Sequence, residues 1–326
     1  MSEFEDAFGR RLEYRRLSVT ERCNFRCAYC LPDGCSSAAD PEPLSLAEIG
    51  RLVSAFAGLG VWKVRLTGGE PTLRRDICEI VRSIAATPGV TRVGLTTNGY
   101  RVAGLVPELQ RAGLSALNVS VDSLDAERFA RVTGFRRLDR IVAGVEAGLA
   151  AGITSVKVNA VLLRSMDDAE LDRFLAWTRK LPLSVRFIEL MQTGDNGAFF
   201  QEHHLSAQEV HRRLESRGWS RRPKDPRDGP AATYGHADHE GSVGLIAPYS
   251  AGFCDSCNRV RVTATGGLRL CLFGNAEIPL RPLLQSDGQR AELMELISSS
   301  VRAKPASHLL REGSSGATAT LASIGG

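Results

Sequence analysis

The chain of 326 residues is 43% hydrophobic and 24% charged, a size and composition that suit one large α/β barrel or two modest domains. Its formal net charge is only +4, and Lys and Arg are dispersed among Asp and Glu, so we expect no nucleic-acid partner. The first residues, MSEFEDAFGRR, lack a basic-then-apolar signal, and no segment approaches about 18 uninterrupted apolar residues. We therefore expect a cytoplasmic protein with no membrane partner.

Short β-branched segments alternate with longer amphipathic segments up to about residue 190. The predicted strands lie at residues 14–20, 62–67, 92–96, 116–121, 155–162 and 185–190. The predicted helices lie at residues 46–59, 75–86, 102–112, 125–131, 138–151 and 168–180. Six strand–helix units in series imply a parallel sheet, and they fall short of the eight that close a barrel. The expected fold is α/β, a partial (β/α)6 barrel of the TIM type with a smaller C-terminal α+β segment.

A change in composition after Gln192 divides the sequence into a barrel region, residues 1–192, and a C-terminal region, residues 193–326. Residues 193–242 mix Gly, Pro, His and charge, which predicts a mobile connection around a helix at 207–217. A compact segment is expected at 244–284, with a strand at 259–263. The tail from Lys304 is rich in small residues and predicts a poorly packed end.

Cys23, Cys27 and Cys30 form a C-x3-C-x2-C loop directly after the first predicted strand. Clustered cysteines in a reducing compartment indicate metal ligands rather than disulfides. Three thiolates can ligate three corners of a 4Fe–4S cube and leave the fourth iron open, as chelation by the amine and carboxylate of an amino acid requires. Zinc normally takes a fourth Cys or His, and none is close in the sequence.

A second group, Cys254, Cys257 and Cys271, has C-x2-C-x13-C spacing, which leaves two interpretations open. One is a second iron–sulfur cluster. The other is a zinc site completed by a distant histidine, for which the candidates are His203, His204, His236 and His239. Cys35 and Cys78 have no assigned role.

Cationic side chains alternate with apolar ones on several predicted strands. Residues two apart on a strand share a face, so apolar neighbours that pack against the helices would turn the cations inward. Buried unpaired cations are costly, and Arg and Lys both bind phosphate, so a polyanion is the expected ligand. The polar side chains of this pattern are Arg16, Lys63, Arg65, Lys157, Asn159, Arg186, Arg259 and Arg261.

The first cysteine loop resembles the CxxxCxxC motif of the radical S-adenosylmethionine (SAM) superfamily, with Tyr29 as the aromatic residue before the last cysteine. The segment LTGGEP at 66–71 is similar to the superfamily's GGEP element, whose backbone and glutamate, Glu70 here, receive the amino group of SAM. Glycine permits close backbone approach to a ligand, which is a physical reason for Gly68 and Gly69. The resemblance implies a radical SAM barrel with one 4Fe–4S cluster at this loop and SAM as cofactor.

Several separated motifs extend the resemblance over nearly the whole chain to the molybdenum cofactor biosynthesis protein A family, the GTP 3′,8-cyclases. They are RLSVTERCNFRCAYC, KVRLTGGEPTLRRD, LTTNGY, LNVSVDSLD, VKVNAVLL, VRFIELM, the second cysteine triad with CNRVR, KPASH and the terminal Gly325-Gly326. The resemblance implies that the second triad carries another 4Fe–4S cluster, whose open iron meets guanine. The terminal glycines are implied to reach into the active site, although this tail lacks the Met that often precedes Ile-Gly-Gly in the family.

The resemblance also implies which residues bind the two ligands. SAM would contact Tyr29, Gly69, Glu70, Ser120, Met191 and Asn159. GTP would contact Arg16, Lys63, Arg65, Thr96, Lys157, Arg186, Arg259 and Arg261.

In the implied reaction, a 5′-deoxyadenosyl radical removes hydrogen from C3′ of the GTP ribose, and the C3′ radical attacks C8 of guanine. Reduction gives 3′,8-cyclo-7,8-dihydro-GTP, an early product in molybdenum cofactor biosynthesis. The implied partners are a flavodoxin-type or similar electron donor, a downstream cyclic pyranopterin monophosphate synthase, and a second copy of the chain in a homodimer. Two alternatives stay open: a peptide-modifying radical SAM enzyme with an auxiliary cluster, and a non-catalytic iron–sulfur or zinc module.

Overall fold

The computed structural model describes residues 4–35, 42–223 and 229–322. Six parallel strands form the centre of its sheet, in the order β1-β2-β3-β4-β5-β6. They are β1 (Tyr14–Ser18), β2 (Lys63–Thr67), β3 (Arg92–Thr97), β4 (Leu114–Ser120), β5 (Ser155–Leu162) and β6 (Ser184–Glu189). The six predicted strands are confirmed, with ends displaced by a few residues.

One helix of the barrel follows each of β1, β2, β3 and β5, and two follow β4, also as predicted. They are α1 (Leu46–Gly58), α2 (Ile77–Ala85), α3 (Val102–Arg111), α4 (Ala126–Thr133), α5 (Leu138–Ala150) and α6 (Asp168–Arg179). Side-chain caps mark the beginnings of α1, α4 and α6. Before α1, the Ser45 hydroxyl accepts a hydrogen bond from the Glu48 amide, and the Glu48 carboxylate accepts one from the Ser45 amide. Within the described ranges, no helix is long and apolar enough to span a membrane.

The C-terminal region extends the sheet at both edges. Strand β9 (Ser242–Ile246) pairs in parallel with β6, and β10 (Arg259–Val262) pairs in parallel with β1. Antiparallel pairing then adds β8 (Ala232–Gly235) and β7 (Ser220–Arg221) on one side, and β11 (Gly267–Arg269) and β12 (Ile278–Pro279) on the other. Among the described residues the sheet runs from β12 to β7 without closing, which confirms a partial barrel.

The expected connection at 193–242 contains more regular structure than its composition predicted. Besides the predicted helix, now α8 (Ala207–Glu215), it holds α7 (Gly197–His203), β7 and β8. A further helix, α9 (Arg290–Val301), packs against α1. The strands β7 and β8 are short and form by pairing along the edge of the sheet, and α9 packs on a helix far away in the sequence, so local composition did not predict them.

The prediction of a poorly packed tail is wrong for part of residues 304–322. Lys304, Leu310, Thr318 and Ala322 are all buried. The Thr318 hydroxyl donates to the Leu272 carbonyl (2.5 Å), and the Thr318 carbonyl accepts from the Gly194 amide (2.9 Å). Hydrogen bonds to loops far away in the sequence therefore fix a segment whose composition alone is typical of disorder.

Arg15 breaks the apolar pattern on the outer face of β1. It is 1% exposed, and its guanidinium lies over the Phe56 ring of α1, 3.4 Å from the ring centroid. None of its three side-chain nitrogens makes a hydrogen bond to a described residue. Burial accordingly lowers the pKa of Arg15 well below its ordinary value. The cation–π contact offsets part of the cost of desolvation.

We predict that Arg15→Met raises the free energy of unfolding by about 1–3 kcal/mol, because it removes buried donors that lack acceptors. Chemical denaturation of the cluster-free protein measures the change. The matched control is Arg11→Met, whose parent side chain is 59% exposed and where the expected change is within about 0.5 kcal/mol. A loss of stability in Arg15→Met would mean that the contact with Phe56 outweighs the missing hydrogen bonds.

Candidate active site between two cysteine triads

Two adjoining cavities occupy the interior of the barrel. The first has a volume of about 970 Å³ and the second about 1260 Å³, each including some space open to solvent. Four residues line both cavities: Thr96, Asn159, Ile188 and Met191. Molecules bound in the two cavities would therefore meet beside these four residues.

The three cysteines of the first loop, Cys23, Cys27 and Cys30, line the first cavity. The loop is held against the end of α4, where the Arg26 amide donates to the Thr133 carbonyl (3.0 Å). Within the loop, Phe25 is buried and stacks on Phe135 with ring centroids 4.6 Å apart. The loop that carries the thiols is thus fixed by main-chain bonds and aromatic packing.

Gly68 and Gly69 follow β2 and line the first cavity, but the structure gives them an additional reason to be glycine. A Cβ on Gly68 would lie 2.3 Å from the Thr20 carbonyl oxygen, and one on Gly69 would lie 2.3 Å from the Arg22 carbonyl oxygen. Gly68 also has a φ of 153°. The glycines therefore allow the end of β2 to pack against the main chain that leads into Cys23.

Glu70 does not line the first cavity, unlike the other residues implied to contact SAM. Its fully buried carboxylate accepts hydrogen bonds from the Thr72 amide and hydroxyl, the Thr97 hydroxyl (2.7 Å) and the Asn98 amide (2.6 Å). Burial raises the pKa of Glu70 in spite of these donors. In this structure, Glu70 ties the end of β2 to the end of β3.

Tyr29, Ser120, Asn159 and Met191 all line the first cavity, together with Asp122. The Tyr29 hydroxyl donates to Asp122 Oδ2 (2.9 Å), and Asp122 Oδ1 accepts from the Val161 amide (2.9 Å). Burial raises the pKa of Asp122 to about 6. This hydrogen-bonded pair anchors the cysteine loop to β4.

The second cavity collects every residue that the resemblance assigns to GTP. Its described lining includes nine Lys or Arg side chains and no Asp or Glu. The cations are Arg16, Lys63, Arg65, Arg92, Lys157, Arg186, Arg259, Arg261 and Lys304. Such a concentration of positive charge in a space of low dielectric favours a ligand with several negative charges.

Strand register brings these cations together. Arg16 of β1 stands opposite Arg65 of β2 on one side and Arg261 of β10 on the other. On β3, Gly94 is the register partner of Arg65, and a Cβ there would lie 2.8 Å from Arg65 Cζ. Gly94 thereby leaves room for the guanidinium. Arg261 is fully buried, and its Nε makes no hydrogen bond to a described residue.

Tyr14 lies in the middle of this basic cavity and was not among the residues expected from the sequence. Its hydroxyl accepts a hydrogen bond from Arg65 Nε (2.8 Å), and Lys63 Nζ lies 4.8 Å from its ring centroid. Burial would raise the pKa of Tyr14, but the charges of Arg65, Arg16, Lys63 and Arg259 lower it to about 7. A phenol of this kind supplies partial negative charge among the cations.

The second triad, Cys254, Cys257 and Cys271, lines the basic cavity. Burial would raise the pKa of Cys257, but Arg259, Lys304 and Arg261 lower it to about 6. Burial raises the thiol pKa in the first triad, to about 11 for Cys23 and about 12 for Cys30. Burial also raises the pKa of Cys254 in the second triad, so the lowered thiol pKa is a feature of Cys257 and the cations around it.

The histidines differ in where they lie relative to the second triad. His308 lines the cavity of the triad, and its buried Nε2 makes no hydrogen bond to a described residue. None of the four histidines considered as a distant ligand lines that cavity; His204 contacts Glu189 (3.0 Å), and His236 and His239 pack against Trp219. Among the described residues, no three His, Cys, Asp or Glu side chains converge closely enough to hold a single metal ion. Three thiols line each cavity, which is the number that a 4Fe–4S cluster with one open iron takes from the protein.

Gly325 and Gly326 lie outside the described residues. The last described residues, Leu321 and Ala322, line the first cavity, and their main chain faces the thiol of Cys30. Cys35, which had no assigned role, also lies at the first loop, where its sulfur accepts from the Cys23 amide (3.0 Å).

Other cavity residues were not anticipated. Asn118 is buried in the second cavity, and its Oδ1 makes no hydrogen bond to a described residue. Asn118 and Ser120 are two residues apart on β4 and therefore share a face of the sheet, so the sequence did contain a signal that the Asn118 side chain points inward. Lys304 and His308 belong to the KPASH motif, which gave the resemblance but no role for these residues.

Comparisons with known proteins agree with this geometry. Residues 17–178 match the family model described as Radical SAM superfamily, and residues 183–310 match the model described as Molybdenum Cofactor Synthesis C. The crystal structure of Streptococcus suis SuiB bound to S-adenosylmethionine shares the fold, with a TM-score of 0.61 at 12% identity over 89% of this chain and 68% of SuiB. The chain is a member of the radical SAM superfamily, whose cofactors are SAM and an iron–sulfur cluster.

Full-length relatives narrow the assignment. The GTP 3′,8-cyclase of Stenotrophomonas maltophilia strain K279a is 53% identical over 326 residues, covering 100% of both chains. The GTP 3′,8-cyclase of Aeromonas hydrophila is 51% identical over 331 residues, covering 100% of this chain and 97% of that protein. The chain belongs to the GTP 3′,8-cyclase family.

We predict that Tyr14 ionises near pH 7 in the ligand-free protein, because the surrounding cations outweigh its burial. The measurement is tyrosinate absorbance against pH, compared between the unmodified protein and Tyr14→Phe. A bound triphosphate neutralises the cations, so it should shift this step to higher pH. If Tyr14→Phe retains the step near pH 7, another group is responsible and the electrostatic account of the cavity is wrong.

Proposed function

We propose that this chain is a GTP 3′,8-cyclase that converts GTP to 3′,8-cyclo-7,8-dihydro-GTP in molybdenum cofactor biosynthesis. The observation that carries the proposal is the pair of adjoining cavities, one beside a CxxxCxxC loop and one lined by cations and a second cysteine triad. Family membership with full-length coverage supports the same activity.

The first cavity fits a 4Fe–4S cluster with SAM. Cys23, Cys27 and Cys30 line the cavity and would supply three thiolates, whereas Cys35 lies beside the loop but outside the cavity lining. One iron would then be left for the amino acid part of the cofactor. When bound, the cluster and SAM supply a 5′-deoxyadenosyl radical. Tyr29, Gly69, Ser120, Met191 and Asn159 would line the remainder of the cofactor. Glu70 would affect cofactor binding indirectly, because its hydrogen bonds hold the main chain at the ends of β2 and β3 in place.

The second cavity fits GTP. Arg16, Lys63, Arg65, Thr96, Lys157, Arg186, Arg259 and Arg261 would hold it, mainly by donating to phosphate oxygens. The residues shared by the two cavities would place the ribose of GTP beside the cofactor, and orientation of this kind accounts for a large part of the rate. Exclusion of water from the barrel interior by the bound ligands would protect the radical.

The second triad is proposed to hold another 4Fe–4S cluster, with guanine as a ligand of its open iron. Three thiols face the basic cavity, and Arg259 and Arg261 follow Cys257 within four residues. One loop would then orient both the triphosphate and the base. In this scheme residues 1–192 generate the radical, while 193–326 bind guanine and close the cavity.

The remaining partners follow from the chemistry and the family resemblance. The reaction consumes electrons, which requires a donor of the flavodoxin type or similar. A cyclic pyranopterin monophosphate synthase would take the product, and the resemblance supports a homodimer in the cytoplasm.

Incubation of reduced, reconstituted protein with SAM tests the function. We expect 5′-deoxyadenosine whose formation is stimulated by GTP, and cyclised nucleotide when GTP is present. A peptide-modifying enzyme would form 5′-deoxyadenosine without cyclising GTP, and a binding module would form neither product.

We predict that Cys23→Ala, Cys27→Ala and Cys30→Ala together reduce the iron content from about eight to about four per chain, the content of one cubane. The same triple variant should form no 5′-deoxyadenosine. Cys78→Ala is the matched control and should retain both iron and activity, because Cys78 is buried in α2 outside both cavities. Continued 5′-deoxyadenosine formation by the triple variant would disprove the assignment of the first triad.

We predict that deletion of Gly325 and Gly326 leaves both clusters and SAM binding intact but removes the cyclised product. The preceding residues, Leu321 and Ala322, line the first cavity, and the family resemblance implies that the terminal glycines reach into the active site. Iron content, SAM affinity and product yield are measured on the same preparation. Full cyclase activity after the deletion would exclude a role for the tail.

A further inference from the structure

Lys304 is a buried cation at the second triad. It is 4% exposed, lines the same cavity as Cys254, Cys257 and Cys271, and its ammonium donates to the carbonyl of Leu270, the residue before Cys271. The chain thus places a lysine against the segment that presents one of the three thiols.

No carboxylate of a described residue pairs with Lys304. Burial lowers its pKa, and the negative charges of Cys257 and Cys271 oppose that effect. A buried ammonium whose hydrogen-bond partner is neutral requires a nearby anion. In this cavity, the thiolates of the second triad are groups of the protein itself that can provide this negative charge.

Arg10, near the beginning of the chain, holds the segment next to Lys304 in place. Arg10 pairs with Asp6 (2.6 Å) and donates to the carbonyls of Pro305 (2.7 Å), Ala306 (2.7 Å) and Cys254 (3.0 Å). One guanidinium therefore joins the segment directly after Lys304 to the loop of the first cysteine in the triad. The lysine and the thiols are held as one unit.

We propose that Lys304 is the counter-charge of the second iron–sulfur cluster and sets its reduction potential; this rests on the proposed function. An oxidised 4Fe–4S core with three thiolates carries one net negative charge, and uptake of one electron leaves two. A fixed cation stabilises the reduced state more than the oxidised one, so it makes the cluster easier to reduce. Lys304 is a positioning residue in this sense, since it acts through the cluster.

The test isolates the second cluster in the Cys23→Ala, Cys27→Ala, Cys30→Ala background and titrates it with dithionite under electron paramagnetic resonance, without GTP. Lys304→Met removes charge and donor. Lys304→Gln removes the charge but keeps a donor for Leu270. Lys304→Arg keeps both, and Lys180→Met removes an exposed lysine outside the cavity as a control for net charge.

We expect Lys304→Met and Lys304→Gln to lower the equilibrium constant for one-electron reduction about tenfold, a shift of about 59 mV to more negative potential. Lys304→Arg and Lys180→Met should titrate close to the background protein. An unchanged potential in both neutral variants, with four irons still bound, overturns the role of Lys304. An unchanged potential combined with weaker GTP binding also overturns this role, because Lys304 would then bind the triphosphate rather than act on the cluster. A background protein that holds no iron overturns the proposed second cluster, and the role of Lys304 with it.

Discussion

Repulsion among the cations of the second cavity is the constraint that organises the interior of this barrel. Charges of one sign in a space of low dielectric raise one another's energy, and the described lining contains no carboxylate to offset them. The chain limits the repulsion locally: the Tyr14 hydroxyl and the Leu95 carbonyl accept from Arg65, and Gly94 leaves space for it. A polyanionic ligand relieves the remainder, so the repulsion contributes to affinity, and binding stabilises the folded state.

The strand order of the sheet explains how two cavities with different linings lie inside one barrel. Its first six strands end at the first cysteine loop and at the polar side chains of the first cavity. The C-terminal region contributes β9 and β10 to opposite edges, and β10 carries two arginines into register with β1. The second triad enters beside those arginines. The two cavities are thus lined by distant parts of the sequence but share the walls of one barrel, a fold in which functional sites lie at the carboxyl ends of the parallel strands.

The sequence was informative wherever a repeating pattern had a physical cause. Alternation of Val with Lys or Arg predicted β2, β5 and the inward cations, because strand geometry alone sets that period. Long-range polar contacts had no such signature. Glu70 bonds to Thr97 and Asn98 rather than facing the cavity, and the glycines before it pack on Thr20 and Arg22. The roles of Tyr14 and Lys304 likewise depend on contacts with residues far away in the sequence, so only the folded structure identifies these two residues as functional candidates.

The pairing of β10 with β1 also bears on how the protein is made. Strand β1 emerges from the ribosome first, and its edge partner follows only at residue 259. At a synthesis rate of ~5–20 residues per second, β1 waits roughly 10–50 s before that edge is covered. During this interval the nascent sheet exposes the open edge of β1, whereas β6 is made only at residues 184–189 and its partner β9 follows at residue 242. An open strand edge is a surface on which unfinished chains associate. Chaperones that shield strand edges should therefore favour recovery of intact protein.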